Sequence, residues 1–351
     1  MFGLFFVALI ILSFVLAFSA RQLAFRFGAI DQPRRTRDIH TKPIPLFGGL
    51  SIGILLITVV AAVTLFAPFS KPILPSFQIM GFLLGVLVLL IGGLLDDRFD
   101  LPAKYQMLFP MAAALIVILT GTTIPHITHW IGRGAYSLEW WRIGVFTFPA
   151  DLLAFAWLLA VMYAMKFLDG LDGLVTGQTI IGALLIAGLA ASSTFYQPAV
   201  AILALIVAAI YFGFLPHNIF PAKQFLGEAG SLIAGFSLGF LAIVSGAKVA
   251  TALMALGLPL ADASLVVLGR LARGTSPFRG DDTHLHFKLL KAGLTQRQVV
   301  GILWAIAALF GLLAFGLQTQ GKVLLLIVLV GVTILLPYFV RLMRRSRIPK
   351  I

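Results

Sequence analysis

The chain is predicted to be an all-α, polytopic integral membrane protein, and its composition, apolar segments and charge distribution all indicate this class. Of its 351 residues 60% are hydrophobic and 11% are charged, whereas a soluble globular domain carries about 25% charged residues. Eleven apolar segments can be recognised. Each has about 17 to 22 residues, enough to cross a hydrocarbon core of about 30 Å as a helix. We therefore expect about 11 transmembrane helices in a single domain covering residues 1–351.

The predicted spans follow the apolar segments in chain order. They cover residues 2–20, 46–67, 77–95, 107–125, 150–168, 174–191, 197–216, 229–245, 249–270, 299–317 and 322–340. The first segment ends in small residues as a signal peptide does, but its positive charge follows it rather than precedes it. We therefore expect the first segment to be a retained helix.

The basic residues predict how the chain is oriented. Of 26 Lys and Arg residues, 21 lie in alternate gaps between the spans and in the tail at 341–351. The positive-inside rule then places the N-terminus outside and the C-terminus in the cytoplasm. The net charge of +13 is explained more simply by anionic lipids and phosphorylated ligands than by nucleic acid, for which we expect no role. Only two of the 13 acidic residues, Glu139 and Asp151, fall on the outer side, which indicates a functional surface on the cytoplasmic side.

The first two cytoplasmic loops contain an isolated histidine and a pair of acids. In residues 31–49, the arginines are typical of a membrane anchor, whereas His40, the prolines and Gly48-Gly49 indicate a rigid turn close to a ligand. The next loop begins with Asp96 and Asp97, and adjacent carboxylates beside apolar surface are costly unless a cation pairs with them. A divalent cation or a buried Lys would supply that charge. A solvated helix end with an Asp100–Lys104 pair is the alternative.

The third loop has a doubled Asp-Gly sequence at Asp169 and Asp172, just after Lys166. If this segment is helical, the two carboxylates lie one turn apart on a shared face, beside glycines that leave room for a ligand. The fourth loop runs from Asn218 to the glycine-rich start of the eighth span at Glu228. Free backbone amides at such a helix start favour a phosphate, although plain capping by Ser231 would use the same residues.

The fifth loop carries two histidines, His284 and His286, beside Asp281 and Asp282. Histidines two positions apart can reach one ligand only where the segment is not helical. Thr295 to Gln298 is typical of a capping box that opens the tenth span. The five loops therefore bring basic groups, carboxylates and histidines to one membrane face, as expected for a phosphorylated, metal-bound substrate that meets a lipid.

Five ordered motifs between residues 31 and 300 resemble the polyprenyl-phosphate N-acetylhexosamine-1-phosphate transferase family of integral membrane enzymes. The resemblance implies transfer of a sugar-1-phosphate from a UDP-N-acetylhexosamine to undecaprenyl or another polyprenyl phosphate, with release of UMP. It also implies a bacterial cell membrane, an active site on the cytoplasmic face, and Mg²⁺, or Mn²⁺, as the cofactor. The opening Asp-x-Pro, the paired histidines and the basic tail are more similar to the UDP-N-acetylglucosamine branch than to the muramoyl-pentapeptide branch.

The candidate site residues follow from these motifs. The catalytic candidates are Asp96, Asp97, Asp169, Asp172, His284 and His286. The substrate-binding candidates are His40, Lys104, Lys166, Asn218, Lys223 and Phe225, the last at the family's uracil-stacking position. The metal-binding candidates are Asp96, Asp97 and Glu228.

Five positions depart from the family's pattern. Tyr163 and Lys166 stand where the family has the two Asn of an Asn-x-x-Asn sequence, and Glu228 stands where it has a metal-binding Asp. Gln106 replaces a frequent Lys and Phe287 replaces a third His. Lys166 in particular puts ordinary Mg²⁺ coordination in doubt.

Two accounts of these departures are open. In one, Glu228 still binds Mg²⁺ while the Lys166 ammonium pairs with Asp96, Asp169 or the diphosphate and supplies part of the cation's charge. In the other, the protein is a slow or inactive relative. We expect activity, because the remaining acids and histidines of the motifs are present.

The expected reaction is direct attack of a lipid phosphate oxygen on the β-phosphorus of the UDP-sugar, which displaces UMP. A phospho-N-acetylmuramoyl-pentapeptide transferase is an alternative of the same kind. A secondary transporter is the alternative from another class, but transporters carry ionisable groups near the midplane, whereas these acids lie at span ends or in loops. Beyond the two substrates, we expect contact with anionic lipids, and a homodimer is left open.

Overall fold

The structure is a computed structural model that describes residues 2–33, 42–66, 74–129, 134–193, 196–246, 256–276 and 282–345. Within these ranges the protein is mostly helical, and nine helices are long and apolar enough to cross a membrane. A polytopic membrane protein is therefore confirmed.

The helices are numbered in chain order over the described residues. They are α1 (Phe2–Phe27), α2 (Gly48–Phe66), α3 (Ser76–Phe99), α4 (Ala103–Gln106), α5 (Leu108–Leu119), α6 (Ala150–Leu168), α7 (Leu174–Ala191), α8 (Pro198–Asn218), α9 (Gly227–Val244), α10 (Gly257–Ala272), α11 (Leu285–Lys291), α12 (Gln296–Leu313) and α13 (Thr319–Arg345). One turn of 3₁₀ helix, Ala314–Gly316, follows α12.

Two of the 11 predicted spans are not among these nine helices of the described residues. The segment predicted at 107–125 forms α5, whose 12 residues extend about 18 Å. It ends at Thr120 and Gly121, where a positive φ of 85° turns the chain out of the helix. The segment predicted at 249–270 is described only from residue 256, and its helix α10 has 16 residues. A count of 11 full spans therefore remains a prediction.

Between the helices, the described residues also include six short strands. They form three antiparallel pairs: β1 (Ile30–Asp31) with β2 (Ile44–Pro45), β3 (His126–Thr128) with β4 (Ala135–Ser137), and β5 (Glu139–Ile143) with β6 (Phe146–Pro149). The last two pairs lie between α5 and α6. Trp140 and Trp141 are 62% and 66% exposed there, as expected of side chains at a membrane interface.

The predicted capping box at the start of α12 is confirmed. The Thr295 hydroxyl accepts from the backbone N–H of Gln298 at 3.4 Å, and the Gln298 side chain accepts from the backbone N–H of Thr295 at 3.0 Å. Two of the donors that a helix start leaves free are thereby satisfied.

Helix α9 lies at the centre of the bundle. Its most apolar stretch is 83% buried, against 22% for α1 and 17% for α13, so the terminal helices present most of their surface to lipid. α3, α6 and α2 all pack against α9. The approach to α3 is close, since a Cβ on Gly93 would lie 2.3 Å from the Ala229 backbone. The residues at the start of α9 are therefore held by several helices at once.

The first and fourth loops are joined by backbone hydrogen bonds. The N–H of Phe225 donates to the carbonyl of Pro45 in β2 at 2.9 Å, and the N–H of Gly48 donates back to the carbonyl of Phe225 at 3.1 Å. Gly49 donates to Leu226 at 2.7 Å. This junction fixes the start of α2 against the segment that leads into α9.

Candidate active site

Three helix ends bring acidic and basic side chains together. Asp96 and Asp97 lie in the last turn of α3, Lys166 in the last turn of α6, and Glu228 in the first turn of α9. Because α3 and α6 both pack against α9, these four side chains meet, and we call them the charged cluster. Two carboxylates at the C-terminal end of α3 face the negative end of the helix dipole, so they require partners from other elements.

Asp97 links α3 to the start of α9. Its Oδ1 accepts the backbone N–H of Glu228 at 2.8 Å, which is one of the donors that a helix N-terminus leaves free. Gly227 makes this approach feasible, because its φ is +70° and a Cβ there would lie 2.4 Å from Oδ2 of Asp97. The amide of Glu228, which the sequence had suggested for a phosphate, is therefore already used. Ser231 does not cap α9, since its hydroxyl donates to the carbonyls of Gly227 and Glu228.

Lys166 lies between the acids of the charged cluster. Its ammonium forms an ion pair with Oε1 of Glu228 and donates to Oε1 of Gln106 at 2.9 Å. The Gln106 amide then donates to Oδ1 of Asp96 at 2.9 Å. The structure thus pairs Lys166 directly with Glu228, rather than with Asp96 or Asp169 as one sequence-based account had it. Asp96 is reached only through the amide of Gln106.

Three of the five departures from the family's pattern are therefore direct neighbours. Gln106, Lys166 and Glu228 come from α4, α6 and α9, yet they form one chain of polar contacts. Each change alone would alter the charge or reach of a group beside the acids. Together they leave an ammonium whose partners are a carboxylate and an amide.

Asp169 and Asp172 lie in the turn that joins α6 to α7. α6 ends at Leu168, Asp169 has φ −76° and ψ 50°, and Gly173 precedes α7 in the left-handed region at φ 80°. The expectation that both aspartates share a helical face is therefore wrong. The turn still joins them to the fourth loop, because Oδ2 of Asp172 accepts the backbone N–H of Ala222 at 2.9 Å.

Asp169 sits in a setting that disfavours its charge. Crowding by surrounding protein raises the pKa of its carboxyl to about 7, and the negative charges of Glu228 and Asp172 act in the same direction. The residue nevertheless keeps an exposed surface, so solvent can reach it. A carboxyl with a pKa near neutrality can exchange a proton at working pH.

Asn218 connects the third and fourth loops. Its side-chain oxygen accepts from the N–H of Gly173 at 3.2 Å and from the hydroxyl of Thr176 at 2.6 Å. Its amide nitrogen donates to the carbonyl of Gln224 at 3.1 Å. These contacts are internal to the protein and Asn218 is 3% exposed, so the structure gives it a role in shaping the loops.

Three of the other predicted substrate-binding residues lie in the described parts of the second and fourth loops. Phe225 is half-buried and fixed through its backbone to the first loop. Lys223 is exposed, and the exposed Lys104 places its ammonium 4.8 Å from the centre of the Tyr105 ring. His40 lies outside the described residues.

His284 and His286 stack on each other. Their ring centres are 5.8 Å apart and their planes differ by 11°. This is feasible because His284 precedes α11 with extended backbone, φ −63° and ψ 153°, and only His286 is in the helix. His286 is fully buried, and both of its ring nitrogens lack a hydrogen-bond partner among the described residues. Burial, more than the nearby charges, lowers its pKa to about 4.

The predicted metal ligands do not fit a metal ion in this arrangement. Glu228 is engaged by Lys166, and Oδ1 of Asp96 already accepts from Gln106 and from the N–H of Leu101. Among the described residues, no three His, Asp or Glu side chains are grouped to hold a metal. One oxygen, Oδ2 of Asp97, is buried there without a hydrogen-bond partner. A site formed by all three acids would require Glu228 to leave Lys166, so the metal requirement stays a prediction.

The sequence did not single out Asp262. It lies in α10 and is 4% exposed, with Oδ2 2.8 Å from Nδ1 of His284. The signal that could have indicated it is a lone carboxylate inside the apolar segment 249–270, since such residues need a specific partner.

Comparison with known proteins identifies relatives over most of this chain. The family model for glycosyl transferase family 4 matches residues 79–246, which includes the charged cluster and the third loop. A decaprenyl-phosphate N-acetylglucosaminephosphotransferase of Mycolicibacterium smegmatis is 32% identical over 333 residues, covering 84% of this chain and 76% of the relative.

Two further relatives come from other bacterial groups. A probable undecaprenyl-phosphate N-acetylglucosaminyl 1-phosphate transferase of Bacillus subtilis is 29% identical over 310 residues, covering 85% of this chain and 80% of the relative. An undecaprenyl-phosphate alpha-N-acetylglucosaminyl 1-phosphate transferase of Escherichia coli K12 is 28% identical over 300 residues, covering 83% of this chain and 77% of the relative. The resemblance found in the motifs is therefore confirmed.

Proposed function

The chain belongs to glycosyl transferase family 4, and from this premise we propose that it transfers N-acetylglucosamine-1-phosphate from its UDP derivative to undecaprenyl or a similar polyprenyl phosphate. UMP and a lipid diphosphate sugar are the products. The names of the relatives support this reaction over the muramoyl-pentapeptide alternative. The observation that carries the proposal is the charged cluster beside Asp169, at one end of the bundle.

In the proposed mechanism, an oxygen of the lipid phosphate attacks the β-phosphorus of the UDP-sugar. The new phosphorus–oxygen bond forms as the bond to the α-phosphate oxygen breaks, and UMP leaves with that oxygen. Both reactants are anions, so the site must offset charge before they can meet. Lys166 is the cation of the charged cluster, so its ammonium is the group that would offset this charge. Asp169 accepts the proton of any lipid phosphate that arrives as the monoanion, because the pKa of its carboxyl is about 7.

The charge distribution of the sequence supports an active site on the cytoplasmic face of the cell membrane, with the N-terminus outside. A nucleotide sugar is then supplied from the cytoplasm, while the acceptor arrives laterally between lipid-facing helices. Glycans that follow from such a lipid-linked product belong to the cell envelope. Anionic lipids would be attracted to the basic loops and the tail.

A metal could add to the cation supplied by Lys166 if substrate draws the ammonium away from Glu228. Glu228, Asp97 and Asp96 would then hold Mg²⁺, whose chemistry is to offset diphosphate charge. In the present arrangement the Lys166 ammonium is paired with Glu228, so it can offset diphosphate charge only where the substrate takes the place of that carboxylate.

The test is UMP release by purified protein with undecaprenyl phosphate and a panel of UDP-N-acetylhexosamines, each with Mg²⁺ and with EDTA. We expect turnover with UDP-N-acetylglucosamine. Asp97→Asn should lose it, whereas Asp151→Asn should retain it, because Asp151 is equally an acid in a helix but lies at the opposite end of α6. If no donor yields UMP under either condition, the proposed reaction is excluded.

A further inference from the structure

A buried carboxylate in α10 lies apart from the charged cluster and is bonded to the histidine segment. Both oxygens of Asp262 are used: Oδ2 lies 2.8 Å from Nδ1 of His284, and Oδ1 accepts the backbone N–H of Leu285 at 2.8 Å. The side chains of His284 and Asp262 are only 7% and 6% exposed. A buried carboxylate is costly unless its oxygens are hydrogen-bonded. Here the two hydrogen bonds go to two adjacent residues, His284 and Leu285.

These bonds determine which nitrogen of His284 is free. An ionised carboxylate can only accept hydrogen bonds, so the hydrogen between the two groups belongs to Nδ1 of His284. The neutral ring is then the Nδ1–H tautomer, and Nε2 is left as the nitrogen that can take up a proton. The second bond satisfies the first N–H of α11 and so fixes where that helix begins. One carboxylate therefore sets both the tautomer of His284 and the place of the ring.

The ring of His284 is also held from its sides. Its centre lies 5.7 Å from that of Phe167 in α6 and 5.8 Å from that of His286. His286 in turn lies against the third loop, since a Cβ on Gly170 would be 2.4 Å from Nε2 of His286. Gly170 follows Asp169 in the chain. A displacement of His284 would therefore also displace the turn that contains Asp169.

We propose that Asp262 is a positioning residue of this site, which holds His284 as the Nδ1–H tautomer so that Nε2 meets the phosphorylated substrate. Asp262 itself touches no substrate. In that tautomer Nε2 is an acceptor, and it accepts a hydrogen bond from a protonated phosphate oxygen with no covalent change. The assignment rests on the proposed function, because it takes His284 to face phosphoryl groups.

Asp262→Asn should change the tautomer of His284 without changing the fold. The asparagine oxygen can still accept the N–H of Leu285, so the start of α11 keeps its bond. The amide nitrogen, which only donates, then faces Nδ1 of His284 and forces the ring into the Nε2–H tautomer. We expect UMP formation to fall by about 10- to 100-fold, the usual effect of removing a group that orients a functional histidine. The matched control is Asp151→Asn, since Asp151 is a 6% exposed acid that accepts one backbone N–H but contacts no histidine.

The tautomer can be read without turnover. Protein labelled with ¹⁵N in the rings of its six histidines gives ring nitrogen shifts by NMR, and the His284 signals are those lost in His284→Gln. The proposal expects a protonated Nδ1 and a bare Nε2 at neutral pH or above, and the reverse in Asp262→Asn. A wild-type His284 found as the Nε2–H tautomer would overturn the proposal.

Combined variants decide whether Asp262 acts through His284. In the His284→Gln background, adding Asp262→Asn should change the rate by less than about twofold, because the ring it positions is gone. A full 10- to 100-fold further loss would show a merely structural role and overturn the assignment. If neither wild type nor any variant forms UMP, the proposed function fails, and the claim about Asp262 then stands or falls on the NMR result alone.

Discussion

Removing the Lys166 ammonium is the most direct perturbation of the charged cluster. Lys166→Met keeps the apolar stem of the side chain but breaks the ion pair with Glu228 and the bond to Gln106. Hydrogen bonds to charged groups contribute about 1.5–3 kcal/mol each. The two side chains of the pair are 22% and 12% exposed, so solvent screening reduces the loss. We expect the free energy of unfolding to fall by about 2 kcal/mol.

The larger part of that loss should come from the carboxylate left behind. Glu228→Gln removes its charge, so the double variant Lys166→Met with Glu228→Gln should be more stable than Lys166→Met alone, with a coupling energy of about 1–2 kcal/mol. The assay is reversible unfolding in detergent micelles, followed for all four members of the cycle. Lys288→Met, which changes an exposed lysine, should stay within about 0.5 kcal/mol of wild type. A coupling energy below about 0.5 kcal/mol would refute the paired arrangement.

Three other predictions concern metal use, pH and backbone space. The double variant Lys166→Asn with Glu228→Asp removes the ammonium and shortens the acid. Its UMP release should be at least about tenfold more sensitive to EDTA than that of wild type. Equal sensitivity would mean that the Lys166 ammonium does not replace the charge of a metal ion. Because the pKa of Asp169 is raised to about 7, its carboxyl is protonated below that pH, so kcat/KM for UMP release should rise with pH and level off above about 7, and Asp169→Asn should remove this rise. The effect of pH on stability has the opposite direction, because between the pKa of the unfolded state and that of the folded state the folded protein holds a proton on Asp169 that the unfolded protein has lost. The free energy of unfolding of Asp169→Asn should therefore increase relative to that of wild type as the pH rises through 7. Gly227→Ala should lower both stability and UMP release, because its Cβ would lie 2.4 Å from Oδ2 of Asp97. The control is Gly274→Ala, which has a similar φ of +66° and nothing within 4 Å of the added Cβ, so it should lose only the backbone effect of about 1 kcal/mol. Equal losses of stability for the two variants in thermal unfolding would contradict the close contact.

The membrane-spanning helices were predictable because length and apolarity alone decide them. Helices α6 and α7 have the predicted bounds, 150–168 and 174–191. α5 was predicted too long, because the predicted span extended to residue 125 while the backbone turns at Gly121. Local apolarity carries no information about such a turn, which depends on a single glycine conformation.

The site was predictable as a set of residues but not as a set of contacts. The acids, the histidines and Lys166 were all recognised from motifs, and the structure gathers Asp96, Asp97 and Glu228 around Lys166. Which acid receives the ammonium depends on how α3, α6 and α9 cross, and no spacing along the chain encodes a crossing. Asp262 was missed for the same reason, because its partner His284 belongs to a different element.

The junction between the first and fourth loops has a consequence for how the protein is made. Pro45 and Gly48 leave the ribosome long before Phe225, to which they are hydrogen-bonded in the finished molecule. Until α8 and the residues after it have been inserted, the start of α2 has no partner and the uracil-stacking candidate does not exist. Chains interrupted before residue 225 would therefore lack one side of this junction.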